Sequence, residues 1–220
     1  MVARRKSDDD LLRELTAQPD GQPARSIGAW SLKKLADAAS IYQDLSFVTE
    51  VLERLNTLLE DGSTDNVLIQ SYWTAALISY ARCFSTGKRF GLPEQIFEKW
   101  EGAIETHRVY KNLRDKHVAH SVNPFEQVVV GLVLSAPGSE KRQVEGVATL
   151  SQRLITQTSE GVETLLKLAK YAGRIVTEYA KNEEAKVREV GETLPIEQLN
   201  SKPRLRTTAP GPEEAGKPRS

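Results

Sequence analysis

From residue 40 onward the apolar positions fall into helical stripes. Ile41, Leu45, Val48, Leu52, Leu55 and Leu59 follow one another at alternating spacings of four and three. Those steps keep one face of an α-helix pointing the same way. Phe47, Val51 and Leu58 widen the stripe, as expected of a helix packed in a bundle. Asp61-Gly62-Ser63-Thr64-Asp65 ends it and offers an N-cap for the next helix. Residues 66–84 are apolar nearly all round, which predicts a central, buried helix. Pro93 is suited to open a third helix. Along it Ile96, Trp100, Ala103, His107, Tyr110, Arg114 and His117 again alternate in steps of four and three. This stripe begins apolar and becomes cationic. Asn123-Pro124 stops it, because the residue before proline is pushed out of helical geometry.

The period then changes. Residues 127–135 are rich in β-branched side chains, Ala136-Pro137-Gly138-Ser139-Glu140 reads as a turn, and residues 142–150 return as a second strand. A last helix starts at about Ser159, with Val162, Leu165, Ala169, Ala172, Val176 and Tyr179 on one face, and frays near residue 190. The expected architecture is mainly α: a helical domain over residues 27–192 with a β-hairpin inserted at about 127–150. Residues 1–26 are polar and read as a flexible arm, with a short helix near Asp9–Gln18. Residues 193–220 hold five prolines from 195 onward and no aromatic residue, and are expected to be a disordered tail.

Composition narrows the function classes. The 220 residues carry 30 basic and 30 acidic side chains, so the formal net charge is zero. That excludes a wholesale polyanion binder but not a local basic site. The charge is uneven: residues 27–62 carry −3, residues 82–89 carry +3, and residues 105–122 carry +2 before any histidine is counted. The one cysteine, Cys83, can form neither an internal disulfide nor a multi-cysteine zinc site, and reads as a small buried hydrophobe. The most apolar stretch, Val67 to Ala81, is shorter than the about 20 residues a membrane span needs and contains four polar residues. No signal-peptide pattern opens the chain. A cytoplasmic protein without membrane contact is expected.

All three histidines lie between residues 107 and 120, in the segment His107-Arg108-Val109-Tyr110-Lys111-Asn112-Leu113-Arg114-Asp115-Lys116-His117-Val118-Ala119-His120. His107 shares its stripe with Trp100 and Tyr110, which predicts a hydrogen-bonded core histidine. Lys116, His117 and His120 sit where cations complement the exposed carbonyls of a helix C-terminus. On that structural reading His120 is a cap and Arg114 pairs with a carboxylate of a neighbouring helix. His117 and His120 share a helix face and suggest a metal ligand pair, but no further ligands follow at recognised spacing, and no metal or other cofactor is expected. Trp73 and Trp100 read as packing residues. Arg82, on the otherwise apolar second helix, either has a buried partner or faces a groove near Arg114.

Leu113-Arg114-Asp115-Lys116-His117-Val118-Ala119-His120-Ser121 resembles the signature of the HEPN superfamily: an arginine, often followed by a polar residue, then a histidine after four to six further residues. Arg114 and His120 match with five residues between, and Asp115 takes the polar position. His117 lies outside that window. The wording of the segment and the following Asn123-Pro124-Phe125-Glu126 look most like an abortive-infection-type subgroup, and the resemblance extends over roughly residues 30–185. It implies a HEPN-like bundle and a metal-independent endoribonuclease in a prokaryotic defence or toxin-like role. Arg114 and His120 would be catalytic, Asp115 and His117 supporting, and Lys88, Arg89 and Lys111 contacts to RNA phosphates. The implied partners are RNA, a second copy of the chain and an antitoxin or defence protein, but not DNA. The alternative is a non-catalytic HEPN-like dimeric module that binds RNA or a partner protein.

Overall fold

The computed structural model describes residues 30–118, 126–138, 140–141, 143–153, 156–204 and 211–214. The chain is mainly helical with one two-stranded hairpin. In order it forms α1 (Trp30–Glu60), α2 (Asn66–Cys83), a 3-10 turn (Glu94–Phe97), α3 (Ala103–Leu113), a π-helical turn (Arg114–Val118), β1 (Glu126–Leu134), β2 (Val144–Arg153), α4 (Ser159–Glu192), α5 (Ile196–Ser201) and a 3-10 turn at Pro212–Glu214. Two compact units result. Among the described residues, those from 37 to 178 form one, and 30–36 with 179–204 and 211–214 form the other.

The core of the larger unit is drawn from the helical stripes. On α1, Ile41, Leu45, Val48, Leu52 and Leu55 are buried, as their spacing predicts. Phe47 departs from the expected stripe and is exposed, because it lies beyond the edge of the face that Val51 still reaches. The helix also starts ten residues before Ser40. The residues that precede it are rich in leucine and alanine, which are strong helix formers. Its end is a glycine stop. Gly62 adopts φ 67°, its N–H donates to Leu59 O at 3.2 Å, and Ser63 N–H donates to Leu58 O at 3.0 Å. Three residues on, the Asp65 carboxylate caps α2 by accepting from Leu68 N–H at 3.0 Å.

α2 is buried along most of its length through Ile69, Trp73, Ala76, Leu77 and Tyr80, although Val67 and Ile78 stay exposed. The loop beyond it folds back tightly. Leu92 N–H donates to Cys83 O at 2.8 Å, and Gly91 passes so close to the chain that a Cβ there would lie 2.6 Å from Ser85 O.

The expected single helix from Pro93 to residue 123 is broken. Residues 94–97 wind as a 3-10 turn, and Gly102 in the left-handed region (φ 72°) restarts the chain as α3. Phe97 rather than Ile96 enters the core. Even spacing across the break arose because both segments lie on the same core, not because they are one helix. α4 buries Val162, Leu165, Leu168, Ala169, Ala172 and Val176. Its N-terminus is capped by Thr158, whose hydroxyl accepts from Gly161 N–H at 3.3 Å.

The hairpin pairs antiparallel, with Val129 opposite Leu150, Leu132 opposite Val147, and a bulge where Val133 faces Gly146 but Leu134 faces Val144. Its turn is closed by Ser135 N–H donating to Gln143 O at 3.0 Å.

In the smaller unit, Ala180 and Glu183 are buried, and the Glu183 carboxylate accepts from Lys186 at 2.6 Å. The tail, expected to lack regular structure, forms the six-residue α5 after Pro195. The expected N-terminal arm and its short helix lie outside the described residues.

Gly91→Ala forces a methyl group against backbone, and is expected to lower stability by about 1–3 kcal/mol. Gly87→Ala has open space and should stay within about 0.5 kcal/mol of the parent. Urea unfolding of the two variants checks the contrast.

Candidate functional site

Two aromatic contacts hold α3 against α2. Trp73 meets Tyr110 edge-on, with ring centroids 6.2 Å apart. The Tyr80 hydroxyl and His107 Nδ1 are hydrogen-bonded at 2.9 Å. As numbers rise along α2 they fall along α3, so the two helices run antiparallel. The Tyr110 hydroxyl also donates to Gly161 O at 2.7 Å, which ties α3 to the first turn of α4.

His107 is the core histidine that its stripe predicts. It is fully buried among the rings of Phe84, Phe97 and Tyr80, at centroid distances of 4.3, 5.4 and 5.7 Å. Burial pushes its imidazole down to about 4, so it is neutral at neutral pH. Trp73 is likewise buried, and Trp100 packs on Tyr171 at 5.7 Å.

Arg114 follows the last residue of α3 and opens the π turn. Its backbone N–H still bonds to Tyr110 O and Lys111 O, and beyond it the winding widens. Neighbouring residues on an α-helix do not face each other. In this wider turn they meet: Arg114 Nη1 donates to Asp115 Oδ1 at 2.7 Å. The Arg114 side chain is 29% exposed, and its Nε is buried without a hydrogen-bond partner among the described residues. Lys111 and Lys116 flank the pair and are exposed. Nearby, Arg108 is engaged by Glu94 at 2.5 and 3.0 Å. The backbone of His117 belongs to the π turn, but its side chain lies outside the described residues, as does the whole of His120.

The other expected phosphate contacts lie elsewhere. The π turn packs against α2, and the antiparallel arrangement puts it toward the Asn66 end of that helix. Lys88 and Arg89 follow the opposite end, about 20 Å away at 1.5 Å per residue. Arg89 is also occupied. Its Nη1 donates to Asp44 Oδ2 at 2.8 Å and to Ser40 Oγ at 2.9 Å, and its Nη2 donates to Arg82 O at 3.1 Å. Arg82 binds the same carboxylate through both Nε and Nη2, which decides between its two expected roles in favour of a partner. That hydrogen bond also raises the Arg82 guanidinium above its ordinary value. One phosphate cannot touch both Arg114 and this clasp. Asp44 was missed in the sequence, although its place between Ile41 and Leu45 on the buried stripe signals a carboxylate that needs cations.

Cys83 is buried at the end of α2, and its thiol donates to Ser79 O at 3.2 Å. Burial pushes the thiol up to about 12, far from the range of a nucleophile. Among the described residues, no group of three His, Cys, Asp or Glu side chains is placed to hold a metal ion, and no helix is long and apolar enough to cross a membrane. No family model, no curated protein and no solved structure matches the chain.

The His107 pKa fixes a pH dependence. Unfolded, the imidazole titrates near 6.5 and so takes up a proton that the folded state refuses until about pH 4. Its stability contribution is therefore present above pH 6.5 and lost as pH falls toward 4, by roughly 3 kcal/mol. Unfolding free energies measured from pH 7 to 4 should fall more steeply for the parent than for His107→Leu, which lacks the titrating group.

Proposed function

We propose that the chain is a metal-independent endoribonuclease of HEPN type, with its active site at the end of α3. The reading rests on one observation: the arginine of the Arg114-x5-His120 pattern is partly exposed in a π-helical turn and oriented by its neighbour Asp115. Single π turns inside α-helices recur at functional sites. The flanking Lys111 and Lys116 add positive charge where a phosphate would approach.

The chemistry needs two kinds of group. A side chain titrating near neutral pH moves protons, which suits His120. A cation steadies the charge that builds on phosphorus, which suits Arg114. The RNA 2′-hydroxyl loses its proton to the base and attacks the adjacent phosphorus, the bond to the 5′-oxygen breaks, and the leaving oxygen takes up a proton from water. The products are a 2′,3′-cyclic phosphate and a 5′-hydroxyl. Asp115 holds the guanidinium in place and His117 supports the site. Of the Arg114 guanidinium nitrogens, Nη1 is bound to Asp115. Lys111 is the flanking phosphate contact, whereas Arg89 is held by Asp44. In this reading two chains act together in the cytoplasm, in a defence or toxin-like setting, with an antitoxin or defence protein as regulator.

A second reading has its own support. Arg114 already has a carboxylate partner and a buried Nε, which suits a structural arginine in a non-catalytic module that binds RNA or protein.

Cleavage separates the two. In EDTA the parent should cut single-stranded RNA or tRNA and leave cyclic phosphate ends. His120→Ala and Arg114→Ala should each lose at least about 100-fold. Equal cleavage by all three proteins, or none by the parent on a broad RNA panel, contradicts the enzyme.

A further inference from the structure

The hairpin is the part of the larger unit that the helical core leaves uncovered. Nine of its Val and Leu side chains are between 42% and 72% exposed. They occupy both faces of the ribbon. Val129 and Val133 share one face with Leu150, and Val130 and Leu132 share the other with Val147. At roughly 100 Å² each, the six on the face of Val128, Val130, Leu132, Leu134, Val144 and Val147 present about 600 Å² of apolar surface and the three on the other face about 300 Å², so the larger face matches the upper end of the about 300–600 Å² of the largest patch on an ordinary monomer.

We infer that this hairpin docks on a second copy of the chain and is its dimerisation element. The area is the first reason. Two copies meeting through the larger face bury about 1,200 Å² in total, the lower end of the range for a stable interface. The second reason is charge. Residues 127–134 of β1 and 146–152 of β2 contain no ionisable side chain. Nothing there attracts a polyanion, and two identical ribbons meet without like-charge repulsion. The third is the backbone. Among the described residues the sheet has only these two strands, so no third strand lies along the outer edge of either. Such edges pair readily with another chain unless charge, proline or a cover blocks them. Only the bulge beside Glu145 interrupts this pair. The middle of one face is also flat: Gly131 and Gly146 have open space where a side chain would stand, and Ala148 stands opposite Gly131 in the register. A two-stranded hairpin is at best marginally stable by itself in water, so a covering partner would stabilise it.

This inference does not rest on the ribonuclease reading, since it concerns a surface whose residues take no part in the proposed chemistry. Sedimentation of the full chain should show a dimer at tens of micromolar. The double variants Val129→Glu/Leu150→Lys and Leu132→Glu/Val147→Lys put charge on each face while keeping a cross-strand ion pair. Combined, they should weaken dimerisation at least about 30-fold. Val67→Lys, at an exposed apolar position on α2, should leave it unchanged. Should the combined variant misfold, amide exchange of the parent gives the same test: protection over residues 126–134 and 144–153 should rise with protein concentration. A monomeric parent, a dimer that survives both double variants, exchange independent of concentration, or a monomer that binds lipid vesicles through the hairpin overturns the inference.

Discussion

The pairing of Tyr80 with His107 is the constraint on which the placement of the site depends. Both side chains have been withdrawn from water into a cluster of rings. A buried polar group without a partner costs about 1–3 kcal/mol, so each needs the other. The bond joins the middle of α3 to the last turns of α2, and the Trp73–Tyr110 contact adds a second point nearer the other end. Two points fix both direction and register. Arg114, one turn past Tyr110, therefore has one place to emerge, and the π turn begins there.

The same register separates the cations of the chain into two groups with different duties. At the far end of α2, Asp44 gathers Arg82 and Arg89 and ties that end to α1. A carboxylate on a buried stripe is tolerated because two guanidinium groups meet it. At the near end, Arg114 has one carboxylate neighbour and two exposed lysines around it. The zero net charge of the whole chain thus conceals two clusters that keep positive charge: two arginines closed on one carboxylate at Asp44, and the Arg114–Asp115 pair with two exposed lysines around it.

Much of this was legible from spacing. The stripes of α2 and α4 and the change to β-branched residues at 127 gave three elements close to their observed bounds, because burial of one face is a local property of the pattern, whereas α1 was recognised but starts ten residues earlier than its stripe. Position along an even stripe did not reveal the break at Gly102, since two helical segments on one core can share a period. Phe47 was misassigned for a related reason: apolar identity does not reveal how wide the buried face is. The hairpin was placed but its exposure was not, because alternation says which residues share a face and not what covers that face. At the site, the roles of His107, Trp73 and Cys83 followed from their apolar neighbours. The Asp44 clasp did not, because its arginines lie 38 and 45 residues away in sequence. Nor could spacing show that Lys88 and Arg89 are at the opposite end of α2 from Arg114, which only the antiparallel packing decides.

The claim that RNA is engaged at the end of α3, rather than at the basic loop after α2, is open to one direct measurement. A short single-stranded RNA with every 2′-oxygen methylated cannot be cleaved by 2′-hydroxyl attack, yet keeps its phosphates. Titrated into isotope-labelled protein, it should shift the Arg114 side-chain Nε–H resonance and the amides of Lys111 and Lys116, leaving those of Lys88 and Arg89 in place. Shifts confined to Lys88 and Arg89, or no shift at Arg114 at saturating RNA, would contradict the account.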